Sequence, residues 1–498
     1  MGLFFKIMPN KKFYITTSIP YTNAPPHIGF ALEAVQADVL ARYHRALGDD
    51  VFYLTGTDEH GIKILRAARE AGKEPKDFAD ELSQRFKSLM EVLNISNSDF
   101  IRTTDERVHK PTVEKVWRKL KQNGDIYKKK YKGFYCAGCE AFVPEKDLVD
   151  GKCKIHQKNL ELVEEENYFF KLSKYTRQIE KLIEKDKLEI VPETRKNEIL
   201  SMLKQGIEDV SFSRIKDKYW GFSVPDDPSQ IIYVWCDALP NYISAIGYLK
   251  ESEQFKRYWP ADVHCIGKDI MKFHTIFWPA MLLSLGLKPP KTIFVHGFIT
   301  VAGQKMSKSL GNVVDPFELV KKYGTDAVRY YLLREIPAAE DGDFTYKKFE
   351  ERYNSDLASG IGNLLARVKT LAEKVGFSGS YSKDAKKNID SNRRESSDFL
   401  EKFRFHEALK NIWDIIGFCD RYVDKEKPWE AKGEKTKIKN QKVINDLLFA
   451  LDAIADMLKP FLPETAVKIS KELERDEKKQ SFKNKRTKAL FPKINKAG

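Results

Sequence analysis

Residues 13–61 read FYITTSIPYTNAPPHIGFALEAVQADVLARYHRALGDDVFYLTGTDEHG, and the apolar period changes repeatedly within them. FYITTSI, residues 13–19, is β-branched and aromatic and closes on Pro20, which reads as a buried strand. The polar turn YTNAPPHIGF follows. Ile28, Leu32, Val35, Val39 and Tyr43 then recur at three- and four-residue spacing, which predicts a helix ending near Gly48. VFYL at 51–54 is a second short strand and leads into GTDEHG. A further helical pattern runs to Gly72, a residue suited to a C-terminal cap. Strand, helix, strand, helix implies an α/β fold: a parallel sheet with helices on its faces.

Outward from this stretch the rhythm breaks after about residue 115. Residues 116–230 hold a cysteine cluster, many Lys and Glu, and no clean βα alternation. Strand signals return in IIYVWCDA from Ile231, DVHCIG from Asp262 and TIFVHG from Thr292. The simplest reading is one sheet with a large insertion between its halves. From about Ser355 the pattern is helical. Gly376–Ser397 is polar and reads as a loop, and Val443–Leu458 reads as an amphipathic helix stopped by Pro460. The tail from Lys478 to Gly498 is rich in lysine.

The 498 residues allow two to four domains at roughly 150 residues each. An apolar share of 42% supplies a core and excludes wholesale disorder. Six cysteines in such a length exclude a disulfide scaffold. The longest apolar run, Phe277–Leu287, is interrupted by Pro279 and Ser284 and falls short of the ~18–20 residues of a spanning helix. The first eight residues lack the cleavage site of a signal peptide. A soluble cytoplasmic protein with no membrane partner is therefore expected. Lys plus Arg is 86 against 72 Asp plus Glu, a net charge of +14 that suits a polyanionic partner.

Three constellations carry chemistry. The turn Pro20–Phe30 enters a helix, and helix N-termini collect phosphates on free N–H groups. Gly29 lets a flat ligand approach the backbone there, and His27 can donate to a phosphate oxygen. A Pro-rich turn with an incidental histidine is the bland alternative. The second is KMSKS, Lys305–Ser309, in the loop Gly303–Gly311. Its two lysines, three apart on a flexible segment, can fold over a triphosphate and offset charge on a departing pyrophosphate. A solvated basic loop is the alternative. The third is Cys136-Ala-Gly-Cys139 and Cys153-Lys-Ile-His156, two hooks separated by 13 residues. Such spacing can close a tetrahedral Cys3His zinc site with no open position, hence one structural Zn2+. Cys236, Cys265 and Cys419 are isolated and read as core residues.

Taken together, the signature HIGF after the first strand and KMSKS after the last resemble the class I aminoacyl-tRNA synthetases. SIPYTNAPPHIGF, LTGTDEHG, YVWCDALPNY, GKDIMKFHTIFWPA, FVHGFITVAGQKMSKSLGN and KPWE are similar, in this order, to the methionyl-tRNA synthetases, and the resemblance spans roughly residues 13–460. It implies a Rossmann-like parallel sheet with an inserted zinc-knuckle connective domain and a helical-bundle anticodon-binding domain. The expected division is 1–115 and 231–300 for the sheet, 116–230 for the insertion (knuckle at about 131–160), 301–355 for the KMSKS loop and stem-contact region, and 356–498 for the bundle with its basic tail. The implied reaction is methionine–tRNA ligation: methionine and ATP form methionyl-adenylate, and the 2′-hydroxyl of the terminal adenosine of tRNA(Met) takes the methionyl group. Mg2+ accompanies ATP.

The resemblance also implies roles. His27 and Lys308 contact the phosphates, with Lys305 supporting the mobile loop. Gly29, Gly267, Asp269 and Ile299 line the adenosine site. Asp58 binds the methionine ammonium, and Ile19, Tyr21, Trp235, Leu239, Tyr242 and His274 surround its side chain, where sulfur–aromatic contacts favour Tyr and Trp. Asn363 and Arg367, four apart on one helix face, and Trp429 read the anticodon by hydrogen bonding and stacking. Cys136, Cys139, Cys153 and His156 hold the zinc. Phe30 departs from the pattern, standing where many class I enzymes carry a second histidine, so it takes no hydrogen-bonding role. The chain stops at Gly498, short of an added oligonucleotide-binding domain, and a monomer is expected. A relative charging leucine, valine, isoleucine or cysteine and a non-catalytic RNA-binding paralogue are the alternatives. An insertion of about 115 residues is short for an editing domain, and a binder has no need of His27, Asp58, Lys305 and Lys308.

Overall fold

The computed structural model describes residues 11–136, 141–143, 148–149, 151–153, 160–216, 219–306, 311–377, 380–430, 434–476, 481–482 and 489–494. The chain packs as two compact units: Met1–Pro26, His44–Glu91 and Ser96–His296 form the first, and His27–Tyr43, Val92–Ile95 and Gly297–Gly498 form the second.

The first unit is built on strands β1 (Lys12–Thr17), β2 (Asp50–Thr57), β3 (Asp99–Arg102), β4 (Ile126–Cys136), β5 (Glu161–Phe170), β6 (Glu189–Val191), β7 (Val263–Gly267) and β8 (Thr292–His296). Six of them form one sheet in the order β3-β2-β1-β7-β8-β6. Every pairing in it is parallel. After its first residue β1 is buried at every position, as a strand covered on both faces must be. Tyr14, Leu54, Ile266, Ile293 and Val295 share one core with Trp117 and Trp278 from helices. Helix α2 (His109–Gln122) supplies Val113, Val116, Trp117 and Leu120 to it, an apolar stripe at helical spacing.

From β1 the chain order runs outward through β2 and β3 on one side and through β7 and β8 on the other. Such a reversal opens a crevice beyond the carboxyl ends of the central strands. Thr57 pairs with Arg102, Thr17 with Cys265, and Gly267 with His296, so the segments that follow these residues all emerge at that edge.

The stretch read as an insertion contains a long antiparallel ribbon, β4 with β5, in register from Ile126↔Phe170 to Tyr135↔Glu161. Lysines 130 and 132 face Glu166 and Glu164 across it, which favours the pairing. Two readings are corrected. The same stretch also contributes an edge strand, β6, to the main sheet through pairing with β8. In IIYVWCDA only Ile231 and Ile232 are strand, and Val234–Ala238 is a short helix, because the chain turns at Tyr233 to carry Trp235 inward.

The second unit contains α1 from Ile28, within Ile28–Ala46, together with α3 (Thr325–Arg334) and a bundle of α4 (Asn363–Val375), α5 (Lys383–Glu401), α6 (Phe405–Glu426), α7 (Glu434–Leu458) and α8 (Pro463–Glu472). Gly376–Ser397 was expected as loop, yet most of it is helix α5. The Ser382 side chain caps that helix by accepting the Ala385 N–H at 3.1 Å. Its buried stripe is only Ile389, Ser396 and Leu400, too sparse to register as apolar periodicity. Among the described residues no helix is long and apolar enough to cross a membrane.

Candidate active site

Asp58 follows β2 directly and is 3% exposed. Its backbone is locked to the segment after β1: the Asp58 N–H donates to the Pro20 carbonyl at 2.9 Å, and Thr22 N–H donates to the Asp58 carbonyl at 3.0 Å. Its carboxylate Oδ1 accepts from the His60 N–H at 3.3 Å. Tyr21, on the same locked turn, meets Trp235 edge-on with ring centroids 6.3 Å apart. Trp235 stacks on Phe273 at 3.8 Å and meets His274 edge-on at 6.1 Å.

His274 is the polar centre of this wall. Its Nε2 lies 2.8 Å from the Tyr242 hydroxyl and its Nδ1 lies 3.1 Å from the Ile270 carbonyl. Burial lowers its pKa to about 4, so at neutral pH the imidazole is uncharged. Nδ1–H then donates to Ile270 and Nε2 accepts from the tyrosine. Behind it His264, held at 2.8 Å to the Thr16 hydroxyl, is also driven well down by burial, with His274 alongside. Leu239 and Tyr242 are buried at 1%, and Ile19 is half-buried against the same core. A neutral aromatic and imidazole slot with one carboxylate at its rim can take a polarisable apolar side chain attached to an ammonium.

Gly267 ends β7. A Cβ there would stand 2.9 Å from Asp269 Oδ1 and within 3.7 Å of the His296 ring, so only glycine lets that carboxylate curl over the strand end. Asp269 itself is exposed and open to a ligand hydroxyl.

In the second unit, α1 begins at the signature turn. Gly29 N–H donates to His27 Nδ1 at 3.1 Å, which puts the proton of the neutral ring on Nε2. A Cβ on Gly29 would collide with that ring at 2.9 Å, so glycine is needed for the imidazole to fold back over the helix start. The same Cβ position lies 3.9 Å from the terminal carbon of Met306, which brings this residue of the KMSKS segment beside the HIGF turn. Ile28 N–H donates to the Val314 carbonyl at 3.2 Å, which ties the turn to the stretch of chain just past that loop. Lys305 is exposed, in β-pairing with Thr300, and Ile299 is buried at 3% on the adjoining strand. Phe30 is buried at 7%, consistent with a packing role. Lys308 lies outside the described residues.

Farther along this unit, Asn363 opens α4 and is exposed, with Arg367 one turn on. The Arg367 guanidinium sits 5.8 Å from the centre of the Trp429 ring, which is 48% exposed. Lys427 ends α6 in the left-handed region, and Asn440 donates to the Pro428 carbonyl at 2.9 Å, fixing the loop that displays Trp429. An open indole face with a cation on it suits a stacked base. Of the four proposed zinc ligands, Cys136 and Cys153 are described, each buried at 2%, whereas Cys139 and His156 lie outside the described residues. Among the described residues no group of three metal-ligating side chains is gathered.

Phe273, His264 and His296 were not singled out from the sequence. Phe273 adjoins His274 in the quoted GKDIMKFH segment, and His264 and His296 sit on strands β7 and β8, where a buried histidine on a sheet covered by helices was the available signal.

A model of the tRNA synthetases class I (M) matches residues 13–147 and 143–369, and one of the anticodon-binding domain of tRNA ligase matches residues 387–497. A methionine–tRNA ligase of Thermotoga maritima is 46% identical over 480 residues, 94% of this chain and 76% of that protein. One of Clostridium acetobutylicum is 46% identical over 475 residues, 93% of this chain and 73% of that protein. The structure of Mycobacterium tuberculosis methionyl-tRNA synthetase in complex with methionyl-adenylate superposes with a TM-score of 0.91 at 37% identity, covering 97% of this chain and 100% of that one. Sheet, bundle and sequence thus agree along nearly the whole length, and this chain belongs to the class I methionyl-tRNA synthetases.

Proposed function

We propose that this chain activates L-methionine with ATP to methionyl-adenylate and transfers the methionyl group to the 2′-hydroxyl of the terminal adenosine of tRNA(Met). The observation that carries the amino-acid assignment is the uncharged His274–Tyr242 pair beside the stacked Trp235, with Asp58 as the rim anion. The thioether occupies the aromatic slot and the ammonium meets Asp58. The methionine carboxylate is then left to attack the α-phosphate of ATP. That step needs alignment and charge stabilisation more than a covalent nucleophile. His27 Nε2–H donates to the phosphates, Lys308 offsets the charge growing on pyrophosphate, and Lys305 supports the loop. Gly29, Gly267, Asp269 and Ile299 hold the adenosine, with Asp269 accepting from a ribose hydroxyl. Mg2+ bound to ATP shields the phosphates from one another. Asn363, Arg367 and Trp429 read the anticodon, and the basic surplus of the chain attracts the tRNA backbone.

Pyrophosphate exchange into ATP, run with each proteinogenic amino acid, tests this reading. Exchange with methionine alone is expected, and exchange with another amino acid instead would overturn it. Lys308→Ala is expected to slow exchange by about 10²–10³-fold while leaving the thermal unfolding curve in place. An unchanged rate would remove that lysine from the chemistry.

Cys136, Cys139, Cys153 and His156 form a donor set of three thiols and one imidazole, which suits zinc. The burial of Cys136 and Cys153 fits ligands of a closed structural site. When bound, the metal would supply folding energy to the segment that connects β4 and β5. Metal analysis is expected to find about one zinc per chain, lost with Cys136→Ala. A full zinc content in that variant would exclude Cys136 as a ligand.

A further inference from the structure

Two imidazoles converge on one buried carboxylate behind the methionine slot. Asp237 Oδ2 lies 2.5 Å from His60 Nδ1, and Asp237 Oδ1 lies 3.1 Å from His109 Nε2. Exposure is 3% for His60, 1% for Asp237 and 0% for His109, so the three groups are shielded from bulk solvent. The His60 ring is enclosed by Phe222 at 4.6 Å and Trp220 at 5.5 Å between centroids. On the far side His109 Nδ1 continues to the Ser244 hydroxyl at 3.0 Å. Burial by itself would push the Asp237 carboxyl up; the two imidazoles reverse this and hold it below the usual carboxylate range.

The location of the three groups gives them a use beyond core packing. Asp237 lies two residues past Trp235, and His60 lies two residues past Asp58. The His60 ring is gripped by Asp237, while the backbone N–H of the same residue donates to Asp58 Oδ1. A buried hydrogen-bonded network is stiff, and that stiffness passes from the His60 ring to the same residue's backbone N–H, which holds Asp58. We propose that Asp237, acting through His60, is a positioning residue that sets the orientation of the Asp58 carboxylate, with His109 bracing Asp237 from behind. This rests on the assignment of Asp58 to the methionine ammonium.

The test is pyrophosphate exchange by the full chain, with methionine and ATP varied separately. Asp237→Asn keeps the volume and removes the charge. It is expected to lower kcat/KM for methionine about tenfold, with KM for ATP within about twofold of wild type, since a misaligned carboxylate penalises only its own ligand. In an Asp58→Asn background the same change is expected to cost less than about twofold, because the group it orients no longer carries the charge. His60→Leu removes the ring N–H and reads out the same link where Asp237→Asn is too unstable to purify. His60→Gln, which restores an N–H donor, is expected to recover most of the loss. Equal losses toward ATP and methionine, or a full tenfold loss in the Asp58→Asn background, would overturn the proposal. If Asp58→Asn lowers kcat/KM for methionine and neither Asp237→Asn nor His60→Leu does, the proposal alone falls. If Asp58→Asn itself has no effect, the ammonium assignment fails and takes the proposal with it.

Discussion

Asp58→Asn is expected to lower kcat/KM for methionine by about 10²–10³-fold in pyrophosphate exchange, with KM for ATP little changed. The carboxylate is 3% exposed, and its backbone is fastened on both sides to the Pro20–Thr22 turn. An ammonium brought into this rim without its counter-ion loses its hydration and gains nothing charged in return, a penalty of about 2–5 kcal/mol for a buried charged partner. Asparagine retains the shape and the acceptor oxygen for His60 N–H, so the fold should survive. Steady-state exchange with each substrate varied in turn measures the effect. A methionine KM equal to wild type would show that another group meets the ammonium.

The largest effect on stability is expected at Arg329, which is fully buried. Its guanidinium pairs with Asp38 of α1 at 2.7 Å. It also donates to the carbonyls of Phe461 at 2.8 Å, Leu93 at 3.1 Å and Pro460 at 3.0 Å. Asp38 is also fully buried and holds Arg42 at 2.7 Å as well. One side chain on α3 therefore joins the helix that opens at the HIGF turn, the loop at Val92–Ile95 and the end of the bundle helix α7. Arg329→Met fills a similar volume but strands three carbonyls and part of a carboxylate. The expected cost is about 3–5 kcal/mol, the usual penalty for breaking a buried ion pair from one side. At ~2–4 °C per kcal/mol for a body of 150–250 residues, the second unit should unfold roughly 6–20 °C lower. Differential scanning calorimetry would read this directly, and a shift under 2 °C (about 1 kcal/mol or less) would mean the pair is not fully desolvated.

Much of the candidate site was legible because its signals are short. GTDEHG carries Asp58 within one turn of a strand end, and HIGF carries His27 and Gly29 at a helix start. Asn363 and Arg367 sit one helical turn apart. What failed to read from sequence failed for identifiable reasons. YVWCDA is apolar enough for a strand, but Trp235 must be turned inward, and the tertiary slot overrides the local preference. Helix α5 buries one thin stripe, so its helicity rests on a serine cap and on packing against α6. The strand β6 has three residues, and only its neighbour β8, about a hundred positions later, makes it part of the sheet.

By itself the amino-acid order determined the alternation of strand and helix from Phe13 to Gly72, the helical character of the last third of the chain, and the residue types that phosphate, ammonium and thioether chemistry require. Periodicity and motif spacing are local records, and each is written within a few turns of chain. Tertiary structure alone decided which distant groups share a charge or a hydrogen bond. His60 and Asp237 are 177 residues apart, Asp237 and His109 are 128 apart, and Arg329 reaches a carbonyl 236 residues away. Such partners meet only after the sheet and the bundle have closed, and burial is what makes their pairing obligatory, since a desolvated charge or imidazole must find its complement wherever in the chain that complement lies.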